Sequence, residues 1–218
     1  MTRQKSNQPQ MNMIIRKRLF SLLAMLVGMI LTCNAAETAT SILDKAAEKE
    51  KMSKSLNASY TITADGHKQN GTLIISGDRF TISSPQISSW YDGKTQWTYS
   101  TQTGEVNITE PSPEELQQVN PFAIINSFRK LYKATLLKSP STEKKIKLTA
   151  LNQKNDIKNV VLTLSASTLY PTSIELTLSN RRVVTINIKS VSTGNALPIS
   201  DFRFDSKKYQ GLPVVDLR

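Results

Sequence analysis

Apolar and polar residues alternate along most of this chain, which is the pattern of strands with one buried and one solvent-facing side. The alternation is cleanest in the second half, where Ile, Leu, Val or Ala occupies every second position of four segments: 145–151, 159–165, 173–180 and 183–190. Thr, Asn, Lys, Ser and Glu fill most of the positions between them. Strands of this kind predict an antiparallel sheet with one apolar and one wet face.

The first half repeats this period in shorter segments that are separated by turn residues. Strands are predicted over 59–65, 71–77 and 78–83, followed by three more between 87 and 109. Glycine-containing dipeptides that favour tight turns lie between or near these strands. They are Asp65–Gly66, Asn70–Gly71, Gly77–Asp78, Asp92–Gly93 and Thr103–Gly104.

Three segments have helical rather than strand character: 38–56, 113–119 and 121–133. We expect the first to be capped by Ser41 with Asp44. The second has Ser112, a proline and Glu115 in the order of a capping box. Asn120–Pro121 predicts the start of the third. About ten strands with so few helices favour one large curved antiparallel sheet whose apolar face the helices cover.

Charge is distributed unevenly along the chain. The 218 residues carry a formal net charge of +11, yet five basic residues precede position 20 and no Asp or Glu occurs in the first 36. The rest of the chain is only mildly basic. It suits an anionic membrane surface or an acidic partner, and its positive charge is too diffuse to indicate nucleic-acid binding.

The N-terminal segment has the organisation of a secretory signal peptide. A basic stretch, Arg16–Arg18, precedes an apolar run from Leu19 to Leu31 that is short for a membrane span. Small residues follow, and cleavage is expected after Ala35 or Ala36. We therefore divide the chain into a leader and signal peptide, 1–36, and one mature domain, 37–218. The ten residues before Met11 are an extended leader or a misplaced start.

Cys33 has two interpretations. It lies in the discarded segment, or it is the lipidated first residue of a lipoprotein. Thr32 stands where a lipoprotein signal usually has Gly, Ala or Ser, and this favours the first interpretation. Because Cys33 is the chain's one cysteine, the mature protein would then have no disulfide and no thiol chemistry.

Residues for catalysis are sparse. The one histidine, His67, follows a predicted turn, where a solvated side chain is expected, so a Ser-His-acid triad is disfavoured. A zinc site lacks ligands, and no phosphate-binding glycine motif occurs. A carboxylate pair assembled by folding would be needed for a glycosidase, and no spacing indicates one. We predict no enzymatic activity, no catalytic residues, no cofactor and no metal.

Four stretches, taken in order, resemble the LolA family of periplasmic lipoprotein carriers, especially its branch common in Bacteroidetes. They are GTLIISGDRFTIS, SSWYDGKTQWTYSTQTGEVNITEP, NPFAII and DFRFDSKKYQGLPVVDLR. The resemblance spans residues 38–218. It implies a mainly antiparallel β (α+β) fold, a curved unclosed β-barrel of about ten to eleven strands with helices over the concave apolar face.

The resemblance also implies a function. Such a protein is a periplasmic monomer that takes the acyl chains of lipoproteins from an inner-membrane exporter complex into an apolar cavity. It then delivers these lipoproteins to an outer-membrane acceptor. The expected partners are acylated lipoproteins, the exporter complex and the acceptor, and nucleic acid is not among them.

The pattern and the resemblance together give a set of expected cavity-lining residues. These are Tyr60, Ile62, Leu73, Ile75, Phe80, Ile82, Trp90, Trp97, Tyr99, Ile124, Phe128, Leu162, Leu176 and Ile186.

Two features of this set leave alternatives open. The aromatic residues Trp90, Trp97 and Tyr99 offer broad contact area for hydrocarbon, or they are ordinary core residues that hold a hairpin against a helix. Family members carry an Arg-Pro that ties the sheet to the helical lid. This chain has no Arg-Pro there, and Arg79 is the nearest candidate for that latch.

Two further functions fit the same fold. One is a lipid- or lipoprotein-sensing regulatory module that binds a protein partner, as related folds do in envelope-stress regulators. The other is an outer-membrane lipoprotein acceptor anchored through Cys33. Mass spectrometry of the mature N-terminus separates the anchored form from a free carrier.

Overall fold

The computed structural model describes residues 37–120 and 122–218, and among these all side chains except those of residues 118 and 119. The predictions for the signal peptide, its cleavage site and Cys33 concern residues outside this range.

One sheet of twelve strands dominates the described part of the chain. The strands are β1 Ser55–Ala64, β2 His67–Ser76, β3 Arg79–Ser83, β4 Ile87–Tyr91, β5 Gln96–Ser100, β6 Glu105–Thr109, β7 Tyr132–Leu137, β8 Glu143–Ala150, β9 Ile157–Ser165, β10 Pro171–Leu178, β11 Val183–Gly194 and β12 Val214–Asp216.

The sheet consists of two meanders joined edge to edge. Strands β1 to β6 follow one another in space, as do β7 to β11, and β1 pairs with β11 to unite the two sets. All pairings are antiparallel except that of β12, which runs parallel to β6. The sheet is curled but unclosed, with β7 at one edge and β12 at the other. The predicted fold class is therefore confirmed.

Three α-helices cover the apolar face of the sheet, and we call them the lid: α1 Ala39–Met52, α2 Pro113–Val119 and α3 Ala123–Leu131. Ile42 and Leu43 of α1 are fully buried, as are Leu148 and Leu162 of the sheet. These side chains belong to one continuous core between the lid and the sheet. The alternation of apolar residues such as Leu148 and Leu162 along the strands made this face of the sheet predictable.

The helix ends agree with the prediction for α2 and differ for α1 and α3. Ser112 and Glu115 form the expected capping box. Helix α1 is capped by Thr38 with Ser41, one turn earlier than the predicted Ser41 and Asp44. Helix α3 begins at Ala123, and the Asn120 Oδ1 accepts a hydrogen bond from the Phe122 N–H at 3.0 Å.

One predicted turn is wrong. Asn70–Gly71 lies inside β2, where Gly71 pairs with Tyr60 of β1. The Tyr60 ring covers this glycine so closely that an added Cβ would lie 2.6 Å from the ring carbon Cζ. The glycine here makes room for an aromatic side chain. By contrast, Asp65–Gly66 forms its predicted turn, since both residues have positive φ.

Strand β7 is the element that the alternation did not separate from the preceding helix. Helix α3 ends at Leu131, and its C-cap residue, Tyr132, is also the first residue of β7. Its side chain packs in the core between the lid and the sheet.

Candidate functional site

A row of apolar side chains crosses the concave face from β1 to β4. Leu56 pairs with Ile75, Ile75 with Phe80 and Phe80 with Tyr91, so the row follows the strand register. The Phe80 and Tyr91 rings stack with centroids 5.1 Å apart. This row forms the floor of a hollow between the sheet and the lid.

The lid closes over this floor and leaves a hollow, which we call cavity 1. Its volume is about 420 Å³, within the range of small-molecule pockets. Its upper wall comes from all three helices, with Leu116 of α2 and Ala123 of α3 as apolar contributors. Its polar contributors are Glu50, Lys51, Ser53, Asp78, Asn120, Asn126 and Ser127.

A second hollow, cavity 2, lies on the same face over β1, β10 and β11. Its volume is about 380 Å³, and Tyr60, Ile62, Leu176 and Ile186 are among its apolar lining residues. Gln117 of α2 contributes to its wall. The concave side therefore has unfilled apolar space at two places.

Buried polar contacts hold the lid helices to one another. The Gln117 side chain accepts a hydrogen bond from the Tyr132 hydroxyl at 2.7 Å and donates one to Ser127 Oγ at 2.8 Å. Gln117 is 1% exposed, so these bonds are shielded from water. Burial raises the pKa of Tyr132 to about 12, with Glu114 contributing, and the hydroxyl therefore remains a donor.

A partly buried carboxyl group stands at the edge of cavity 1. Glu50, near the end of α1, accepts a hydrogen bond from Asn126 Nδ2 at 3.3 Å. Burial raises the pKa of Glu50 to about 7, and the bond from Asn126 opposes this shift only in part. Burial also raises the pKa of the nearby Tyr91, with smaller effects from Asp78 and Asp92.

Six residues of the expected lining set border the two cavities. Ile75 and Phe80 line cavity 1, and Tyr60, Ile62, Leu176 and Ile186 line cavity 2. Five more lie buried in the core between lid and sheet. They are Leu73, Ile82, Ile124, Phe128 and Leu162.

The aromatic residues Trp90, Trp97 and Tyr99 lie on the other side of the sheet. Trp90 neighbours Tyr91, whose side chain faces the cavity, so Trp90 points to the convex face. Trp97 pairs with Trp90 across the β4–β5 hairpin, and Tyr99 lies two residues further on the same face. The three rings therefore line neither cavity and lie outside the core between lid and sheet.

The chain's C-terminal segment covers these rings. Trp90 contacts Phe204 and Tyr209 with centroid distances of 5.6 and 5.4 Å, and Tyr99 lies 6.2 Å from Tyr209. Arg203 Nε donates a hydrogen bond to Asp92 Oδ2 at 2.9 Å beside them. Burial would raise the pKa of Asp92, but hydrogen bonds from Thr95 N–H, Arg203 and Lys94 N–H lower it overall.

Arg79 is also on the convex side, so it does not occupy the position expected of a lid latch. Its guanidinium lies over the Phe202 ring, 5.1 Å from the centroid, and its Nε donates to the Ser76 carbonyl at 3.3 Å. The contacts that join the lid elements come instead from Gln117, Asn126 and Arg129.

Several site residues escaped the sequence prediction: Leu56, Tyr91, Leu116 and Glu50 all line cavity 1. Tyr91 was missed because consecutive Trp90 and Tyr91 point to opposite faces, and the alternation does not say which face is concave. The stacking partner supplies that information: Phe80, which the pattern places inside, pairs directly with Tyr91.

Within residues 37–120 and 122–218, no group of three or more His, Cys, Asp or Glu side chains is arranged to hold a metal ion. In the same part of the chain, no helix has the length and apolar character needed to cross a membrane.

Comparison with solved structures gives distant matches. A conserved, uncharacterized protein from Thermus thermophilus has a TM-score of 0.56 and 12% identity, covering 82% of this chain and 98% of its own. A LolA superfamily protein from Nitrosomonas europaea has a TM-score of 0.43 and 17% identity, covering 78% and 99%. At 12% identity, the Thermus structure shows the fold alone.

A third structure is a Vibrio parahaemolyticus domain described as a putative outer membrane lipoprotein-sorting protein. It has a TM-score of 0.47 and 10% identity, covering 76% of this chain and 96% of its own. No curated protein sequence matches the chain. The family model for the outer membrane lipoprotein carrier protein LolA matches residues 30–180, which is more than half of the sequence. The chain therefore belongs to the LolA family of outer membrane lipoprotein carrier proteins.

Proposed function

We propose that this protein is a periplasmic chaperone that binds the acyl chains of lipoproteins and carries them from the inner to the outer membrane. The observation that carries the proposal is cavity 1, an apolar hollow between a sheet floor and a helical lid. A binding role of this kind requires no catalytic residues. It requires apolar surface that a ligand can reach.

The energetics of acyl chains make such a carrier necessary. Burying a chain in a bilayer contributes roughly 0.8 kcal/mol per CH₂, or on the order of 12 kcal/mol for about 15 carbons. A lipoprotein therefore does not cross water unaided at a useful rate. The carrier must supply comparable apolar surface and still release the chain, which favours a cavity over a solid core.

The lid supports release as well as binding. Its outer contacts are polar, such as the Arg129–Asp44 ion pair, whose side chains are 61% and 46% exposed. Exposed ion pairs contribute about 0–1 kcal/mol, so they position a helix without locking it. Opening the lid would expose the row from Leu56 to Tyr91 along the strand register.

The proposal includes partners and location. The protein acts as a monomer in the periplasm after removal of its signal peptide. It receives acylated lipoproteins from an inner-membrane exporter complex and passes them to an outer-membrane acceptor. Mass spectrometry of the mature N-terminus tests whether the protein is free in the periplasm or anchored to a membrane. An acylated Cys33 would contradict the free carrier and favour the anchored acceptor.

Two neighbouring residues of β2 offer a matched test of the cavity. Ile75 lines cavity 1, whereas the adjacent Ile74 has the opposite orientation and faces the convex side. Ile75→Trp is expected to fill the hollow and weaken binding of a fluorescent fatty-acyl probe. Ile74→Trp is expected to leave binding unchanged. Circular dichroism establishes that both variants fold.

Equal probe binding by both variants, or no binding of probe and acylated peptide by the wild-type protein, contradicts the proposal. Capture of partners from periplasm provides the cellular test. The captured proteins must carry acyl chains, and they must no longer be captured when these chains have been removed. Depletion of the protein that leaves lipoprotein sorting intact would favour a regulatory binding module.

A further inference from the structure

The edge of cavity 1 is richer in negative than in positive charge. Glu50 from the last turn of α1 and Asp78 from the β2–β3 turn both contribute to its lining, and Lys51 is the one basic residue among the lining residues. Asp78 and Lys51 are exposed, while Glu50 is partly buried. This balance contrasts with the mildly basic character of the chain after its N-terminal segment.

Neither carboxylate is neutralised within the described part of the chain. No ion pair there includes Glu50 or Asp78. Elsewhere on the same helix, Asp44 pairs with Arg129. The Glu50 carboxyl has a hydrogen bond from Asn126, a neutral donor, which compensates its charge only weakly.

The position of Glu50 on its helix adds to this imbalance. Glu50 lies two residues before the last helical residue, Met52, near the negative end of the helix dipole. A carboxylate is unfavourable there, and a cation is favourable. Partial burial strengthens both effects, because water screens the charge less.

We propose that cavity 1 selects amphiphiles whose head group carries a protonated amine beside the acyl chain, with Glu50 and Asp78 as the residues that determine this specificity. The proposal rests on the acyl-binding function proposed above and names its ligand class. The ligand's acyl chain lies on the apolar row from Leu56 to Tyr91, and its ammonium group pairs with Glu50 at the edge of cavity 1. Such an amine belongs either to a phospholipid head group or to the free amino terminus of an acylated peptide.

Three simple amphiphiles of equal chain length test the charge preference: a primary alkylammonium, an alkyl sulfate and an uncharged alkyl glycoside. Each competes with the fluorescent acyl probe below its micellar concentration and above the pKa of Glu50, about 7. We expect the alkylammonium to bind roughly tenfold more tightly than the alkyl sulfate, as for one charge-assisted contact. Circular dichroism monitors the fold throughout.

Variants assign the preference to residues. Glu50→Gln and Asp78→Asn are each expected to reduce the discrimination severalfold while binding of the uncharged glycoside stays constant. Glu48→Gln is the matched control, since Glu48 lies on the same helix, is exposed and does not line the cavity. An equal loss in the control would overturn the assignment to Glu50.

The two sources of the amine are separated by acetylation. A peptide whose N-terminal cysteine carries a thioether-linked alkyl chain, which cannot migrate to the amine, is compared with its N-acetylated form, and a short-chain phosphatidylethanolamine with its N-acetylated form. Discrimination in the first pair supports the proposal with the acylated peptide as ligand, and discrimination in the second supports it with the phospholipid. Discrimination in neither pair overturns the proposal.

The outcomes also separate this proposal from the function on which it rests. Equal binding of all three amphiphiles overturns the amine preference and leaves acyl binding standing. Tighter binding of the alkyl sulfate, lost in Lys51→Met, overturns it in favour of an anion preference. Absence of binding by every amphiphile and by the probe overturns both.

Discussion

At the scale of single residues, Gly71 shows how a side chain on one strand dictates a residue on the next. The Tyr60 ring lies over Gly71, with three of its side-chain atoms 2.6 to 2.8 Å from where a Cβ would stand. Tyr60 is itself 5% exposed and part of the core, so it has little room to move. An Asn-Gly dipeptide indicates a turn when the sequence is considered alone. The local sequence does not show that Gly71 lies under a ring, because Tyr60 belongs to a different strand.

Gly71→Ala is therefore expected to lower the free energy of unfolding by about 1–3 kcal/mol, the usual cost of overpacking. Urea denaturation measures the loss. In a Tyr60→Leu background the same substitution should cost markedly less, because the ring that it meets has gone. An equal cost in both backgrounds would show that contacts other than the Tyr60 ring oppose a side chain at position 71.

The pH dependence of stability follows from Glu50. Its pKa in the folded protein is raised by burial from 4.5 to about 7, so the folded state binds more protons between these values than the unfolded state does. Stability due to this group is complete below pH 4.5 and is lost as the pH rises through 7.

Glu50→Gln removes this loss. We expect the variant to gain about 1 kcal/mol over the wild type above pH 7, less than the full shift implies because the carboxyl is partly solvated. The gain should vanish as the pH falls to 4.5. Urea denaturation across this range measures it, with Glu48→Gln as the control that stays level with the wild type.

At the scale of elements, the lid is held by a buried polar cluster rather than by its ion pairs. Gln117 connects α2 to α3 through Ser127 and to β7 through Tyr132. Gln117→Leu leaves the buried Tyr132 hydroxyl without its acceptor, at a cost of about 1–3 kcal/mol. Arg129→Ala removes only an exposed ion pair and should cost under about 1 kcal/mol.

A double-mutant cycle isolates the hydrogen bond. Adding Tyr132→Phe to Gln117→Leu removes the unsatisfied hydroxyl, so the double variant should be more stable than the sum of the single losses predicts. Denaturation gives the coupling, and hydrogen exchange in α2 reports whether the lid loosens locally. Additive losses would mean that Gln117 acts through packing alone.

The elements themselves were largely predictable because their signals are local. Alternation located the strands, and Ser112 with Glu115 located the start of α2. The errors occur where tertiary contacts decide. Gly71 lies inside β2 because the Tyr60 ring of the paired strand leaves no room for a side chain there. Tyr132, the first residue of β7, is held in the core by packing and by its hydrogen bond to Gln117.

At the scale of the whole molecule, the candidate site was harder to predict than the fold. Alternation assigns residues to two faces but does not say which face the helices cover for a given hairpin. Trp90 and Tyr91 are adjacent, and the pattern alone allows either to face the cavity. The C-terminal segment decides, because Phe204 and Tyr209 cover the convex side and pack against the tryptophan there.

This arrangement separates two observables in one molecule. Both tryptophans of the chain lie on the convex face, away from cavity 1, so an acyl ligand in that cavity should leave the tryptophan emission maximum unchanged. The same ligand should raise the melting temperature with concentration, because it binds the folded state alone. Tyr209→Ala should do the reverse: it uncovers Trp90, shifts emission to the red and leaves probe affinity intact. A red or blue shift of the emission maximum on ligand binding in the wild type would mean that binding in cavity 1 alters the surroundings of the tryptophans on the convex face. The two faces of the sheet would then not be independent.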